Sequence, residues 1–278
     1  MTRRTSVDSF RKAWSKLGAL YPPASWFRDE HLAENRNRIE RILCDIQRLV
    51  RPSPDVRVID VGCFNGFLCY LLHQYGYQTA GTDALPDSAV PERQELMASL
   101  NAAYYPGNFN QPNPFPDCPR QHYSAAILGE VFEHILYHPV GFLQQIGALL
   151  TPGGILILTT PNPYTLANAV RMLRGRGFIW GDTEFATFPK IDSRGHMITH
   201  EQVHYREYSR EVLVDAMQRA GFKVLEARYI GPSLHAKQPL LTRCIKRLPF
   251  WPWLQGTRLF GSGHYIVAQW QPNGASQS

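Results

Sequence analysis

The chain has 278 residues, of which 44% are hydrophobic and 19% are charged, which excludes an intrinsically disordered chain and leaves room for one large domain or two small ones. Five cysteines without a CxxC pair argue against a disulfide framework and against a structural zinc site. No apolar run approaches the roughly 18–20 residues that span a bilayer, and none follows Arg3 and Arg4 as in a secretory signal. We therefore expect a soluble, cytoplasmic protein.

The net charge of +6 is distributed unevenly along the chain. Residues 1–28 carry +5, residues 29–226 carry −5, and residues 227–278 carry +6 with no acidic residue among them. An acidic middle is therefore flanked by two basic ends. Attraction of an anionic partner is expected from the ends and not from the middle.

The apolar pattern alternates between a helical period and short β-branched runs along the chain. It predicts helices at 29–50, 67–75, 87–101, 140–150 and 209–220, and strands at 56–61, 78–82, 102–105, 125–128, 155–160, 223–230 and 264–270. Five alternations of strand and helix with short links are typical of a parallel sheet covered on both faces. We therefore predict an α/β fold with a doubly wound, mostly parallel sheet of seven strands.

The segments outside this pattern define the predicted organisation of the chain. Residues 1–28 form a basic N-terminal extension, and residues 29–278 form one domain. Within that domain, the loop-rich residues 161–208 are predicted to form a cap or lid after the fifth strand. Residues 232–262 form an insert between the last two strands, where a plain fold would need only a tight turn.

The most informative stretch is Asp-Val-Gly-Cys-Phe-Asn-Gly, from Asp60 to Gly66, between the first strand and the next helix. Small residues at such a turn let a ligand approach the backbone, and the N–H groups of the following helix favour an anionic group. Asp83 ends the second strand, where a carboxylate can accept both hydroxyls of a ribose. These features predict a nucleoside-containing cofactor. A dinucleotide is disfavoured, because the GxGxxG fingerprint is not matched.

At these residues the chain resembles the class I S-adenosylmethionine-dependent methyltransferases, whose first motif is an acid, any residue, and then glycines at alternate positions. Asp60, Gly62 and Gly66 match that motif, whereas Phe64 fills the second glycine position. Further landmarks of the family follow in order to about residue 230 and again in the last strand. The resemblance implies a Rossmann-like methyltransferase fold with S-adenosylmethionine as cofactor. It assigns to cofactor binding Asp60, Gly62, Cys63, Phe64, Gly66, Asp83, Ala84, Asn108, Phe109, Gly129 and Glu130.

Candidate catalytic residues follow the fourth strand, where Glu130, Glu133 and His134 form an E-x-x-E-H cluster, and His204 lies in the predicted cap. Methyl transfer to oxygen needs alignment of the nucleophile and removal of its proton, for which histidine is suited because its pKa lies near neutrality. The cluster resembles those of the ubiquinone-pathway O-methyltransferases and of the small-RNA terminal 2′-O-methyltransferases. In the latter, two glutamates and two histidines hold a divalent metal.

That resemblance allows a divalent metal at Glu130, Glu133, His134 and His204 without requiring one. Mixed carboxylate and imidazole ligands suit magnesium, manganese or zinc. The same glutamates can instead cap a helix or orient a loop, and His134 can simply hydrogen-bond to the backbone. We therefore leave a divalent metal open without committing to one, and we name His134 or His204 as the candidate base.

The basic ends also carry aromatic side chains. Residues 237–260 contain Lys246, Arg247, Trp251 and Trp253, and the N-terminal segment adds further tryptophans among its basic residues. Such a mixture suits peripheral contact with an anionic membrane surface, or a lipid-linked substrate. A hydrophobic cap or a dimer contact explains the same composition equally well.

We therefore predict a methyltransferase that methylates an oxygen of a small-molecule, sugar or lipid-linked acceptor. Two alternatives stay open: a metal-dependent RNA ribose 2′-O-methyltransferase, and a non-catalytic relative that binds the cofactor or a partner protein. The acidic middle counts against nucleic acid as a partner. Phe64, Asn108 and Ser124 depart from the family pattern and support the non-catalytic alternative. The sequence leaves the acceptor and the oligomeric state open.

Overall fold

The structure is a computed structural model, and it describes residues 3–20, 31–85, 90, 92–136, 138–175, 190–191, 197–198, 204–231 and 250–272. Much of the predicted cap and most of the predicted insert, including Lys246 and Arg247, lie outside the described residues. None of the helices that the described residues form is long and apolar enough to cross a membrane.

Seven strands form one sheet: β1 (Arg57–Val61), β2 (Gln78–Asp83), β3 (Ala103–Pro106), β4 (Tyr123–Gly129), β5 (Leu150–Pro161), β8 (Phe222–Ile230) and β9 (Gly263–Trp270). Their order is β3-β2-β1-β4-β5-β9-β8, parallel from β3 to β5, with β9 antiparallel to both of its neighbours. This confirms the predicted doubly wound, mostly parallel sheet. Two further short strands, β6 (Lys190–Ile191) and β7 (Met197–Ile198), pair with each other.

Eight helices accompany the strands among the described residues: α1 (Arg3–Ala19), α2 (Leu32–Leu49), α3 (Phe67–Gln74), α4 (Glu92–Ser99), α5 (Pro139–Leu149), α6 (Leu166–Leu173), α7 (Arg210–Arg219) and α8 (Trp251–Gln255). Ser209 caps α7 as its position predicts, because its hydroxyl accepts a hydrogen bond from the Val212 N–H at 3.3 Å. Helix α6 lies within the predicted cap, and α8 lies within the predicted insert.

The structure differs from the prediction at residues 151–154, which separate the helix predicted at 140–150 from the strand predicted at 155–160. Strand β5 already begins at Leu150, which pairs with Tyr123 before the register between β4 and β5 shifts. Residues 151–154 form the irregular segment between two paired positions, Leu150 with Tyr123 and Ile155 with Ala125. At Gly154 an added Cβ would lie 2.9 Å from the Thr151 carbonyl oxygen, so a side chain there would force the strand open.

The central strands are buried on both faces, as their continuous apolar composition predicts. Alternate residues of one strand serve different cores: Val58 packs with α1, α2 and α3, whereas its neighbour Ile59 packs with α5 and α7. Helix α1, which belongs to the predicted N-terminal extension, contributes Phe10, Ala13 and Leu17 to the first of these cores.

An ion-pair network fixes α2 against the sheet. The buried carboxylate of Asp45 accepts hydrogen bonds from Arg41 at 3.2 Å and Arg48 at 3.0 Å on the same helix, and it is also bound by Arg228 of β8. Arg228 additionally pairs with Glu226. The network holds the long α2 helix in a fixed position, so that its residue Arg38 reaches the sheet edge described next.

Candidate active site

The parallel register brings several polar residues to one edge of the sheet. Val61 pairs with Thr82 on one side and with Leu128 on the other, and Gly129 pairs with Thr159. The residues at and just beyond these strand ends therefore face a common space at the carboxyl edge, where doubly wound sheets bind their ligands.

The turn after β1 has the backbone conformation of a glycine-rich loop, although only two of its alternate positions are glycine. Gly62, Phe64 and Gly66 have φ angles of 81°, 47° and 82°. The second glycine position of the motif therefore keeps its left-handed conformation with a phenylalanine in place, at a cost of about 1–2 kcal/mol for a residue with a side chain. At Gly62 an added Cβ would also lie 2.2 Å from the Val131 side chain, so this position cannot accept a larger residue.

Asp83, at the end of β2, holds this turn in place. One carboxylate oxygen accepts the backbone N–H of Phe64 at 2.7 Å, and the other accepts the N–H of Leu85 at 2.8 Å. The buried guanidinium of Arg93 donates to the carbonyl oxygens of the same two residues, at 3.2 and 2.8 Å. Burial raises the pKa of Asp83, and the backbone N–H groups and Arg93 oppose that rise. Asp83, the predicted ribose-binding acid, therefore also holds the turn after β1 in place.

Asp60 lies beside Asp83 and is almost fully buried. Burial and, secondarily, the charge of Asp83 raise the pKa of Asp60 to about 7, while Arg38 opposes the rise. No described residue donates a hydrogen bond to its carboxylate. A buried carboxylate of this kind favours a cationic ligand, because a nearby positive charge would offset the desolvation of its ionised form.

Arg38 of α2 reaches the same edge and was not identified by sequence reasoning. Its Nη1 donates to the Thr159 hydroxyl at 3.2 Å and lies 3.3 Å from Glu130 Oε1, and its Nη2 donates to Asn35 at 2.9 Å. An added Cβ at Gly129 would lie 3.3 Å from Arg38 Nη1, so the glycine admits the guanidinium. No local pattern distinguishes this arginine from the other arginines of α2, because Glu130 and Thr159 lie 92 and 121 residues away in sequence.

The predicted adenine side is built by the loop after β3. The Gly107 N–H donates to the Asp83 carbonyl oxygen at 2.8 Å, which places the exposed Asn108 beside Asp83. Phe109 is buried and packs its ring against Phe142 at a centroid distance of 5.5 Å. Phe109 is therefore part of the buried core next to this loop.

The two remaining candidates on the cofactor side are Cys63 and Ala84. Cys63 is buried against β2, where an added Cβ at Gly81 would lie 2.7 Å from its sulfur, and burial raises the pKa of its thiol. Ala84 directly follows Asp83 and is half-buried. Ala84 has no reactive side chain, and the thiol of Cys63 is buried and protonated, so neither side chain is suited to take part in chemistry.

The predicted catalytic residues meet on the other side of Glu130. Glu133, His134 and His204 bring one ligand atom each within 4.8 Å of one another. His204 Nε2 lies 3.9 Å from Glu133 Oε1, and the two imidazole rings meet edge to face with centroids 5.0 Å apart. Glu133 is fully buried; burial and then the charge of Glu130 raise its pKa well above the usual range.

Two groups that sequence reasoning missed orient this cluster. The Thr160 hydroxyl donates to Glu133 Oε2 at 2.8 Å, and the buried carboxylate of Glu207 lies 2.8 Å from His204 Nδ1. The backbone N–H of Tyr205 donates to the Glu133 carbonyl oxygen at 2.9 Å, which ties the segment carrying His204 to the turn after β4. Glu207 lies three residues after His204, a spacing that could have identified it as a partner of that histidine.

Glu130 does not join this group, so the structure brings together three of the four residues that the resemblance offered as metal ligands. Its φ of 58° turns the chain away from β4, and its Oε1 accepts the Thr159 hydroxyl at 2.9 Å and pairs with Arg38. Neighbouring residues of β5 thus separate the two glutamates: Thr159 holds Glu130 toward the cofactor side, and Thr160 holds Glu133 toward the histidines.

Comparison with known proteins gives a consistent assignment. A family profile described as a methyltransferase domain matches residues 32–227. The ubiquinone biosynthesis O-methyltransferase of Parvibaculum lavamentivorans is 27% identical over 189 residues, which cover 64% of this chain and 72% of that protein. The enzyme of the same name from Azorhizobium caulinodans is 29% identical over 117 residues, 41% of this chain. The chain spans 44% of the length of this second relative.

Solved structures share the fold at much lower sequence identity. An S-adenosylmethionine-dependent methyltransferase from Mesorhizobium loti is similar with a TM-score of 0.51 at 14% identity, covering 81% of this chain and 96% of that one. A proposed sarcosine dimethylglycine methyltransferase from Galdieria sulphuraria is similar with a TM-score of 0.57 at 13% identity, covering 95% and 98%. At these identities the likeness concerns the fold alone.

Proposed function

We propose that this chain, which belongs to the class I S-adenosylmethionine-dependent methyltransferases, methylates a hydroxyl oxygen of a small-molecule, sugar or lipid-linked acceptor. The observation that carries the proposal is the arrangement of one sheet edge. The acids of the cofactor side, Asp60 and Asp83, are separated from the imidazole pair by two glutamates that adjacent threonines of β5 hold apart. A methyl donor and a proton acceptor can therefore be held side by side.

The cofactor side offers a group for each part of S-adenosylmethionine. Asp83 would accept the ribose hydroxyls, and Asn108 would flank the adenine. The buried Asp60 complements a positive charge, and Arg38 complements a carboxylate. When bound, S-adenosylmethionine supplies a methyl group on a positively charged sulfonium that is a good leaving group.

The acceptor side offers a base. Glu207 lies at Nδ1 of His204 and favours the tautomer that carries a proton on that nitrogen, in which the Nε2 lone pair lies on the side of Glu133 and His134. His204 Nε2 would take the proton of the acceptor hydroxyl as the new oxygen–methyl bond forms and the sulfur–methyl bond breaks. The relatives named as ubiquinone O-methyltransferases support oxygen as the methylated atom.

A metal-assisted variant of the same reaction is favoured by one specific observation. Glu133 Oε1 is buried and has no hydrogen-bond partner among the described residues, and it faces His204 Nε2. One carboxylate and two imidazoles form a donor set that fits a divalent ion such as manganese or zinc. Glu133, His134 and His204 would hold such an ion, which would act as a Lewis acid on an acceptor hydroxyl.

The test is transfer of a labelled methyl group from S-adenosylmethionine to panels of phenols, sugars and polyprenyl-linked acceptors, with cofactor affinity measured separately by calorimetry. We expect product on a hydroxyl acceptor, loss of product in His204→Ala with cofactor affinity retained, and loss of cofactor affinity in Asp83→Ala. Product only on nitrogen or sulfur acceptors would overturn the oxygen assignment. Bound cofactor without product from any acceptor would favour the non-catalytic alternative, and metal-dependent product on an RNA 3′ end would favour the RNA enzyme.

A further inference from the structure

We propose that this protein docks on an anionic lipid bilayer through one surface that lies beside its active site. The surface is formed by α6 with the residues just before it, and by α8 with the residues around it; we call it the α6–α8 surface. Its exposed apolar residues are Tyr164, Leu166, Val170, Met172, Leu173, Phe250, Trp253 and Leu259, and its cations are Arg171, Arg174 and Arg258.

The two parts of the α6–α8 surface are joined by direct contacts. The Leu166 N–H donates to the Leu259 carbonyl oxygen at 2.9 Å, and the Asn162 side chain donates to the carbonyl oxygens of Arg258 at 2.8 Å and Gly261 at 2.7 Å. The Arg258 guanidinium lies 4.7 Å from the centre of the Tyr164 ring. These bonds connect the start of α6 to the segment after α8, so the surface is continuous.

Helix α6 has the composition of a buried helix and the exposure of a surface one. It buries none of its eight residues, although Leu166, Val170, Met172 and Leu173 are all apolar. Leu173 is 88% exposed, and Trp253 of α8 is 72% exposed. Helices on globular proteins normally turn such an apolar stripe toward the core. A contiguous exposed stripe instead marks a surface with a partner.

The positive charge of the α6–α8 surface favours an anionic partner. Residues 161–175 contain two arginines and no acid, and residues 250–272 contain one arginine and no acid. Apolar side chains interleaved with arginines suit insertion between anionic headgroups. A symmetric dimer is disfavoured, because the same patch would face itself and bring its arginines together.

The position of the α6–α8 surface connects it with the reaction. Thr159 and Thr160 of β5 hold the two glutamates of the site. Asn162 lies two residues after Thr160, directly beyond the end of β5. Docking would therefore bring the acceptor side close to the bilayer. An acceptor with a lipid tail would need to leave the membrane by only a short distance.

The test is flotation of the full chain with vesicles of phosphatidylcholine alone and with added phosphatidylglycerol. We expect binding only to the anionic vesicles, weakened by salt and reduced about tenfold by Leu173→Glu or Trp253→Glu. The control is Val212→Glu, which places the same charge on an apolar position of α7 that is 41% exposed, and it should float like the wild type. Cofactor affinity should stay unchanged in all three variants, which shows that each one folds.

Three results would overturn the proposal. The first is failure of the wild-type chain to float with the anionic vesicles. The second is flotation of Leu173→Glu and Trp253→Glu at the wild-type level, which would assign lipid binding to another part of the chain. The third is a dimer in sedimentation velocity that Leu173→Glu dissociates, because that would identify a second copy as the occupant of the α6–α8 surface.

Discussion

The Asp83 carboxylate accepts the backbone N–H of Phe64 at 2.7 Å and so holds a phenylalanine in the left-handed conformation that the second glycine of the motif would adopt. The Phe64 carbonyl oxygen is bound in turn by the buried Arg93. The substitution of phenylalanine for glycine therefore leaves the cofactor turn intact, because both polar groups of the strained residue are anchored. This weakens the main sequence argument for a non-catalytic relative.

Replacing Phe64 by alanine or by glycine should separate the cost of its backbone strain from the contribution of its ring packing. Both Phe64→Ala and Phe64→Gly remove the ring, which packs against the core, but only glycine relieves the positive φ. We expect Phe64→Gly to unfold at higher urea than Phe64→Ala, with a free energy of unfolding greater by about 1 kcal/mol. Equal stability of the two variants would mean that the turn is not strained.

Arg38 should matter for the cofactor although it lies outside the predicted motifs. In Arg38→Ala the carboxylate of Glu130 loses its cationic partner, and Asp60 loses the positive charge that opposes the rise of its pKa. We expect cofactor affinity in calorimetry to fall about tenfold or more. The control is Arg36→Ala on the same helix, whose guanidinium lies over the rings of Phe10 and Trp14 and should leave affinity unchanged. An equal loss in both variants would indicate damage to α2 as a whole.

Asp60 should make both stability and cofactor binding depend on pH. Its pKa in the folded chain, about 7, exceeds its ordinary value of 3.8, so the folded state favours the protonated acid. Its contribution to stability is fully present below pH 4 and is lost as the pH rises toward and through 7. Asp60→Asn should remove this part of the pH dependence of urea unfolding.

Binding of a cationic cofactor should favour the ionised form of Asp60 and therefore release a proton near neutral pH. We expect the wild-type binding enthalpy to differ between buffers of different ionisation enthalpy, and affinity to rise between pH 6 and pH 8. Both effects should be smaller in Asp60→Asn. Identical buffer dependence in the variant would assign the proton to another group.

Glu207 should act through His204, because a carboxylate 2.8 Å from Nδ1 favours the tautomer with its proton on that nitrogen. Glu207→Ala is expected to lower kcat about 10- to 100-fold with cofactor affinity unchanged. Glu207→Gln should retain more activity, since its amide oxygen can still accept from Nδ1. Nitrogen NMR should show the Nδ1–H form of His204 in the wild type and a mixture in Glu207→Ala. An unchanged tautomer would contradict this role, and the exposed Glu211→Ala serves as the control.

Manganese binding should distinguish the three-residue cluster from the quartet that the resemblance offered. By calorimetry and electron paramagnetic resonance we expect one site in the wild type, lost in His204→Ala and retained in Glu130→Gln, because Glu130 is engaged by Arg38 and Thr159. Equal loss in both variants would restore the quartet. If the wild-type protein binds no ion and its activity survives chelation, the metal-assisted variant is excluded and His204 acts as the base without a metal.

Local features of the sequence were sufficient for the fold and for the cofactor motif. Strand runs such as 56–61 and 155–160 and helical periods such as 209–220 are short-range signals, and the structure confirms them within a few residues. The exception at Leu150 has a long-range cause, since that residue extends β5 only because Tyr123 of β4 lies beside it.

The sequence by itself determined the alternation of strands and helices, the acid-and-glycine turn with Asp83, and the presence of candidate acids and imidazoles, because each depends on spacing within a few residues. Only the tertiary structure decided that Arg38 joins the cofactor side, that Glu130 and Glu133 serve different partners, and that α6 leaves its apolar side uncovered. These outcomes depend on contacts between distant parts of the chain, such as the bond between Arg38 and Thr159. Each is set by how distant segments of the chain pack together, which a local pattern does not show.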